Sequence, residues 1–170
     1  MMRTLLALTM FRSRLLVCGL VAACFGSVAA SPAHAAWTWE KGGLLDGSTG
    51  LVWSQSQVAE TGSLWTWNGA KTRAANYVVS ERDTAGNVVA TYDDWRVPTV
   101  KELQTAIANG TMKLAKPSAG GLWSSEARGN KAWWVSLEFN NLGEVDGGGV
   151  AKQSLKDSGF EVLFVRTAAP

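Results

Sequence analysis

The strongest nucleophiles, bases and metal ligands of this 170-residue chain stand at one end. Both cysteines, Cys18 and Cys24, and the single histidine, His34, fall in the first 35 residues. Residues 36–170 therefore offer no thiol nucleophile, no Cys- or His-ligated zinc, no histidine base and no histidine pH switch. Disulfides are excluded from that stretch too. Carboxylate or Ser–Lys chemistry is what remains. Glycoside hydrolysis needs two carboxylates about 5–10 Å apart across a cleft. Asp93 and Asp94 are adjacent but stand beside a helix-entering motif, where one is expected to pair with Arg96. The sequence reads as a non-enzyme without a cofactor.

Tryptophan is what the chain has in abundance. All nine Trp lie after residue 35. Each supplies a large area for burial and an N–H that seeks a partner. So many indoles imply a Trp-built core or an aromatic binding surface.

Residues 1–35 read as a secretory signal peptide. Arg3, Arg12 and Arg14 precede an apolar run from Leu15 to Ala30, and Ala33 and Ala35 make an A-x-A cleavage site. The run is shorter than the roughly 20 residues of a membrane span. Cleavage is expected after Ala35. The alternative is "VAAC", Val21 to Cys24, which resembles a lipobox that would leave a lipidated Cys24 at the N-terminus. Removing 1–35 takes three of sixteen basic residues and none of fourteen acids, changing the net charge from +2 to −1. No basic field then argues for nucleic acid. No membrane span is expected in the mature chain.

The remaining 135 residues fit one domain, with a short N-terminal segment at 36–43 and the folded body at 44–167. "LLDGSTGLVWSQS" puts a glycine-rich turn before a strand. In "WTWNGAKTRAANYVV", Ala70, Ala74 and Val78 keep helical spacing, with Thr66 or Asn68 as N-cap. Gly86-Asn87 marks a small hairpin or an irregular loop. Next, "DDWRVPTVKELQTAI" places a T-x-x-E capping box, Thr99 to Glu102, at the start of a helix that Asn109-Gly110 stops. Trp95 and Val97 are expected to anchor the incoming chain, with Pro98 and Leu103 at the staple positions and Arg96 paired or capping.

A loop is expected around Lys116-Pro117, then a short strand in "GLWSSEA". "AWWVSLEF" alternates cleanly, with Trp133, Val135, Leu137 and Phe139 on one face and Trp134, Ser136 and Glu138 on the other. "NNLGEVDGGG" reads as turn or loop. "FEVLFVRTA" reads as a final strand, apolar on both faces like a central one. Early helices and late strands give an α+β class.

In this order, "TGLVW", "WTWNGAKTRAANYV", "DWRVPTVKEL", "GLWSSEARGNKAWWVSLEFNNLGEV" and "LFVRTA" resemble the bacterial family named for the C-terminal domain of the Legionella collagen-like adhesin. The resemblance runs from about Leu44 to Thr167, and "DWRVPTVKEL" is its most specific piece. "WRVPT" is also similar to an element of the sulfatase-modifying, formylglycine-generating domains. Both resemblances imply a C-type-lectin-like fold: two helices flanking a small, mostly antiparallel sheet, with the first and last strands paired. Trp95, Arg96, Pro98, Thr99 and Glu102 are then a structural motif. Family members commonly carry a Cys in the first helix and another in the last strand. Here those segments read "AANYV" and "FVRTA", and Tyr77 and Phe164 are expected to replace the missing tie by packing. Formylglycine generation needs cysteines and does not carry over.

The resemblance implies an exported binding module, glycan-binding or adhesive. Trp134, Asn140, Asn141 and Asp146 are the candidate contacts, with Arg128 and Lys131 for sulfate or carboxylate groups. Asn140 and Asn141 also suit simple turn formation. Glu138, Asn140, Asn141 and Asp146 could cluster around calcium, although no calcium signature is present. The alternative is a structural or assembly protein that holds another envelope protein by its aromatic surface.

Overall fold

Consecutive residues of an extended chain point to opposite sides, and three buried stretches use this to divide the core in two. Trp53, Leu122 and Leu163 join one hydrophobic cluster. Their neighbours Val52, Trp123 and Phe164 join the other. The computed structural model describes residues 36–55 and 63–168. The expected leader, with Cys24 and His34, lies outside the described residues.

The chain runs β1 (Trp37–Glu40), β2 (Gly43–Asp46), β3 (Leu51–Trp53), α1 (Trp67–Ala75), β4 (Val79–Arg82), β5 (Val88–Tyr92), α2 (Val100–Ala108), α3 (Thr111–Ala115), β6 (Gly121–Arg128), β7 (Lys131–Phe139), β8 (Val145–Leu155) and β9 (Val165–Thr167). Three sheets result, in the orders β1-β2-β3-β9, β4-β5 and β6-β7-β8. Every strand pair in them is antiparallel. This is a small α+β domain. Helix α1 buries Trp67, Ala70 and Ala74 in one cluster. Helices α2 and α3 bury Leu103, Ala106, Met112 and Ala115 in the other, so the helices flank the strands.

The helix-entering motif behaves as its residue types require. Trp95, Val97 and Pro98 are buried. The Thr99 hydroxyl accepts from the Glu102 amide at 3.2 Å, and the Glu102 carboxylate accepts from the Thr99 amide at 2.8 Å. The same carboxylate takes both terminal nitrogens of Arg96, at 2.8 and 2.6 Å. Arg96 therefore pairs with Glu102 and not with Asp93 or Asp94. Its backbone exchanges two hydrogen bonds with Val165, and this places Arg166, one residue on, within reach of Asp94.

Tyr77 and Phe164, expected to take the place of a cysteine tie, do meet. Their ring centroids are 5.0 Å apart, and Tyr77 also meets Trp95 edge-on at 5.2 Å. Burial of a large apolar side chain contributes about 1.5–3 kcal/mol, comparable with the roughly 2–4 kcal/mol of a disulfide.

Several expectations need correction. The last strand pairs with β3, the strand expected around Val52 and Trp53, but two further strands, β1 and β2, precede β3 and extend the sheet. The first strand, β1, lies inside the segment 36–43 and forms a hairpin with β2. The final strand is three residues long. Phe160 and Glu161 instead bridge to Trp65 and Leu122, and Phe164 exchanges hydrogen bonds with Ser54, because this stretch passes between elements and meets different neighbours as it goes. Helix α1 is capped by Thr66 and ends at Ala75, leaving Val78 54% exposed. Asn76 stops it by turning its side-chain amide back to the Thr72 carbonyl.

The glycine run expected as loop lies inside β8, the longest strand. Gly148 takes φ +116°, and a Cβ there would stand 2.3 Å from the Ser136 carbonyl oxygen. Only glycine permits that bulged approach. The register slip beside it carries Phe139 to 36% exposure, off the buried face of Val135 and Leu137. Helix α3 was not anticipated. It follows Gly110, at φ +86°, where α2 had been expected to stop.

One buried acid locks the sheet to the helices. Asp46 accepts from the Ser48 amide and hydroxyl, from the Asn109 side-chain amide and from the Thr111 hydroxyl. Burial alone would raise its pKa. The hydrogen bonds outweigh burial and hold it below the ordinary value.

Candidate functional site

Strand β7 carries the candidate residues at its two ends, and its length keeps them apart. Arg128 and Lys131 are register partners across the β6–β7 turn. Asn140 and Asn141 follow the far end of the strand. Nine residues at about 3.3 Å each separate the two ends by roughly 25–30 Å. The six residues do not converge on one site.

At the β7–β8 end, the side chain of Asn140 is committed to its own turn. Its Oδ1 accepts from the amides of Leu142 and Glu144, and its Nδ2 donates to the Glu144 carboxylate. Asn141 is exposed. Asp146 is exposed and pairs with Lys113 at 3.5 Å. A groove of about 570 Å³ lies beside this turn, lined by Lys113, Lys116, Phe139 and Leu142 among others. Among the described residues no three His, Cys, Asp or Glu gather in a way that could hold a metal ion.

Mid-strand, Trp134 is half-buried and has one face covered. Its ring stacks on Phe160 at 4.4 Å, and its indole N–H donates to the Ser154 hydroxyl at 3.0 Å. The ring is accommodated by Gly121, where a Cβ would lie 2.5 Å from Trp134 Cε3. Lys152, its register partner on β8, places its ammonium 5.2 Å from the ring centre.

At the β6–β7 end, three elements bring cations together. The Lys156 amide donates to the Asn130 carbonyl and so ties the end of β8 to the turn. The Trp67 amide donates to the Lys156 carbonyl, and the Trp67 indole N–H to the Ser124 carbonyl at 2.8 Å, docking the start of α1 on the same place. The Trp67 ring then carries two ammonium groups, Lys71 at 4.7 Å and Lys156 at 4.6 Å from its centre. Lys71 is four residues along the helix, where side chains are neighbours. The two charges cannot be more than about 9 Å apart.

Lys71, Arg128, Lys131, Lys152 and Lys156 pair with no carboxylate among the described residues, whereas Arg96, Lys113 and Arg166 do. Sequence reasoning singled out Arg128, Lys131 and Trp134 but missed Trp67, Lys71, Lys152 and Lys156. The Trp67–Lys71 spacing was visible on the expected helix. The arrival of Lys156 was not, because the start of β8 was read as turn or loop and its continuation to Leu155 was not recognised as a strand.

A sequence profile of the Lcl C-terminal domain matches residues 42–166. The chain belongs to the Lcl C-terminal domain family. This is the family of a collagen-like adhesin's domain and not a known enzyme family. The match takes in all three helices, the helix-entering motif, the Tyr77–Phe164 contact and the lysine–tryptophan face, and leaves out β1. A comparison with curated proteins gave no match. Among the described residues no helix is long and apolar enough to cross a membrane.

Proposed function

We propose that this member of the Lcl C-terminal domain family is an exported, non-catalytic binding module, with a C-type-lectin-like fold, that grips an anionic glycan. The face that holds it is built from Lys71, Lys152 and Lys156 on the Trp67 and Trp134 rings, with Arg128 at the β6–β7 turn beside it and Lys131 across that turn, on the other side of β7 from Trp134. The carrying observation is that two ammonium groups share one indole while neither has a carboxylate partner among the described residues.

The chemistry follows from that arrangement. Stacking over an aromatic face holds a lysine by the ring's negative quadrupole without neutralising it. Its N–H donors stay available to sulfate or carboxylate oxygens. The net charge of −1 for residues 36–170 is a sum over the whole stretch and does not fix the balance at this face, where five cations stand with Glu126 and Asp157 near them in sequence. Of the residues at the other end of β7, exposed Asn141 is a secondary polar contact for a ligand long enough to run along the sheet; Asn140 is spent on its own turn, and the Asp146 carboxylate repels an anion. Export rests on the leader, cut after Ala35 or, alternatively, lipidated at Cys24.

The test is a glycan screen with matched sulfated and desulfated polysaccharides. Binding to the sulfated member is expected, weakened about tenfold by Lys71→Gln and further by Lys156→Gln. Equal binding of the desulfated member, or lysine variants that bind normally, would overturn the reading.

A further inference from the structure

A second surface differs in charge from the lysine face. A cleft of about 520 Å³ lies between β1, the β1–β2 turn and β4, and its lining includes Trp39, Glu40, Gln55, Tyr77, Val78 and Glu81. Trp39 is the one exposed indole of the nine, with 54% of its surface open. Among the described residues that line the cleft there is no lysine or arginine, although Lys41 stands in the β1–β2 turn between Glu40 and Gly42. Glu81 is held in place there by the Gly42 amide on one oxygen, at 2.9 Å, and by the Tyr92 hydroxyl on the other, at 3.0 Å. Gly42 sits at φ +81°, and a Cβ on it would press to 2.8 Å from the Tyr92 ring, so the turn that aims this amide depends on glycine. Along one side runs β1, the outer strand of the order β1-β2-β3-β9, with β2 as its strand partner.

We propose that the Trp39 cleft and the outer edge of β1 bind an extended protein segment that presents a lysine or arginine. An outer strand offers unpaired backbone groups to an incoming strand. An ammonium or guanidinium entering the cleft meets an open indole face and two carboxylates, the combination that attracts a cation by its ring and its charge together. The same carboxylates repel a sulfated glycan. The two surfaces therefore take ligands of opposite charge, and this site does not depend on the glycan reading.

The experiment titrates the isotopically labelled full chain with a blocked pentapeptide alternating valine and lysine, and with its counterpart in which glutamine replaces lysine. The lysine peptide is expected to shift the Trp39 indole N–H and the Gly42 amide, and to bind about tenfold more tightly than the glutamine peptide. Trp39→Ala and Glu40→Gln, both at exposed positions, are each expected to weaken it about tenfold with unchanged melting temperature. The Lys71→Gln, Lys156→Gln double variant is expected to bind it normally. Equal affinity for the two peptides, or no shift at Trp39 and Gly42, would overturn the proposal.

Discussion

Asp46 and Glu102 show how single residues set the acid limit of this protein. Both carboxyls are held below the ordinary value, Asp46 by hydrogen bonds that outweigh burial and Glu102 first by Arg96. A depressed carboxyl contributes stability that is present above its unfolded pKa and lost as pH falls through its folded pKa. Stability should hold from neutrality to about pH 4 and fall below it. Asp46→Asn should be less stable at pH 7 and show a shallower acid limb, as urea unfolding across that range would reveal. Phe164→Ala removes the partner of Tyr77 and should cost about 3–5 kcal/mol. A loss below 1 kcal/mol would show that the contact does not replace the absent disulfide.

The elements divide by how local their causes are. The α2 start was legible because the Thr99–Glu102 box acts within four residues, and the same box fixed the direction in which Trp95 and Val97 enter the core. The β4–β5 hairpin was legible at Gly86, where φ is +88°. Strand β8 was not, since its glycine run hides pairing with a strand ten residues away. The stop at Asn109-Gly110 was right, but the turn leads directly into α3 because Asn109 and Thr111 both reach Asp46. Gly148→Ala tests the β8 account. With φ +116° and backbone oxygen in the way, it should cost about 2–3 kcal/mol. Gly129→Ala, at φ +60° in open space, should cost only about 1 kcal/mol. Equal melting temperatures for the two variants would contradict the bulge argument.

Across the whole molecule, the candidate site was legible only in part. Arg128, Lys131 and Trp134 could be named from their strand. The lysine face could not, because Lys71 reaches a ring from α1, and Lys152 and Lys156 from β8 and the residue after it, only once the strands have paired. Net charge conceals this, since a value of −1 for residues 36–170 averages over a local concentration of cations. The absence of thiol and imidazole in those residues fits a body that holds a ligand without converting it. The most direct measurement of that claim is the affinity of the full chain for a sulfated polysaccharide across roughly 0.05 to 0.3 M salt, with the polysaccharide recovered and sized afterwards. Affinity should fall steeply with salt, fall less steeply in the Lys71→Gln, Lys156→Gln variant, and leave the polysaccharide intact. Salt-independent binding, an unchanged slope in the variant, or shortened chains would contradict it.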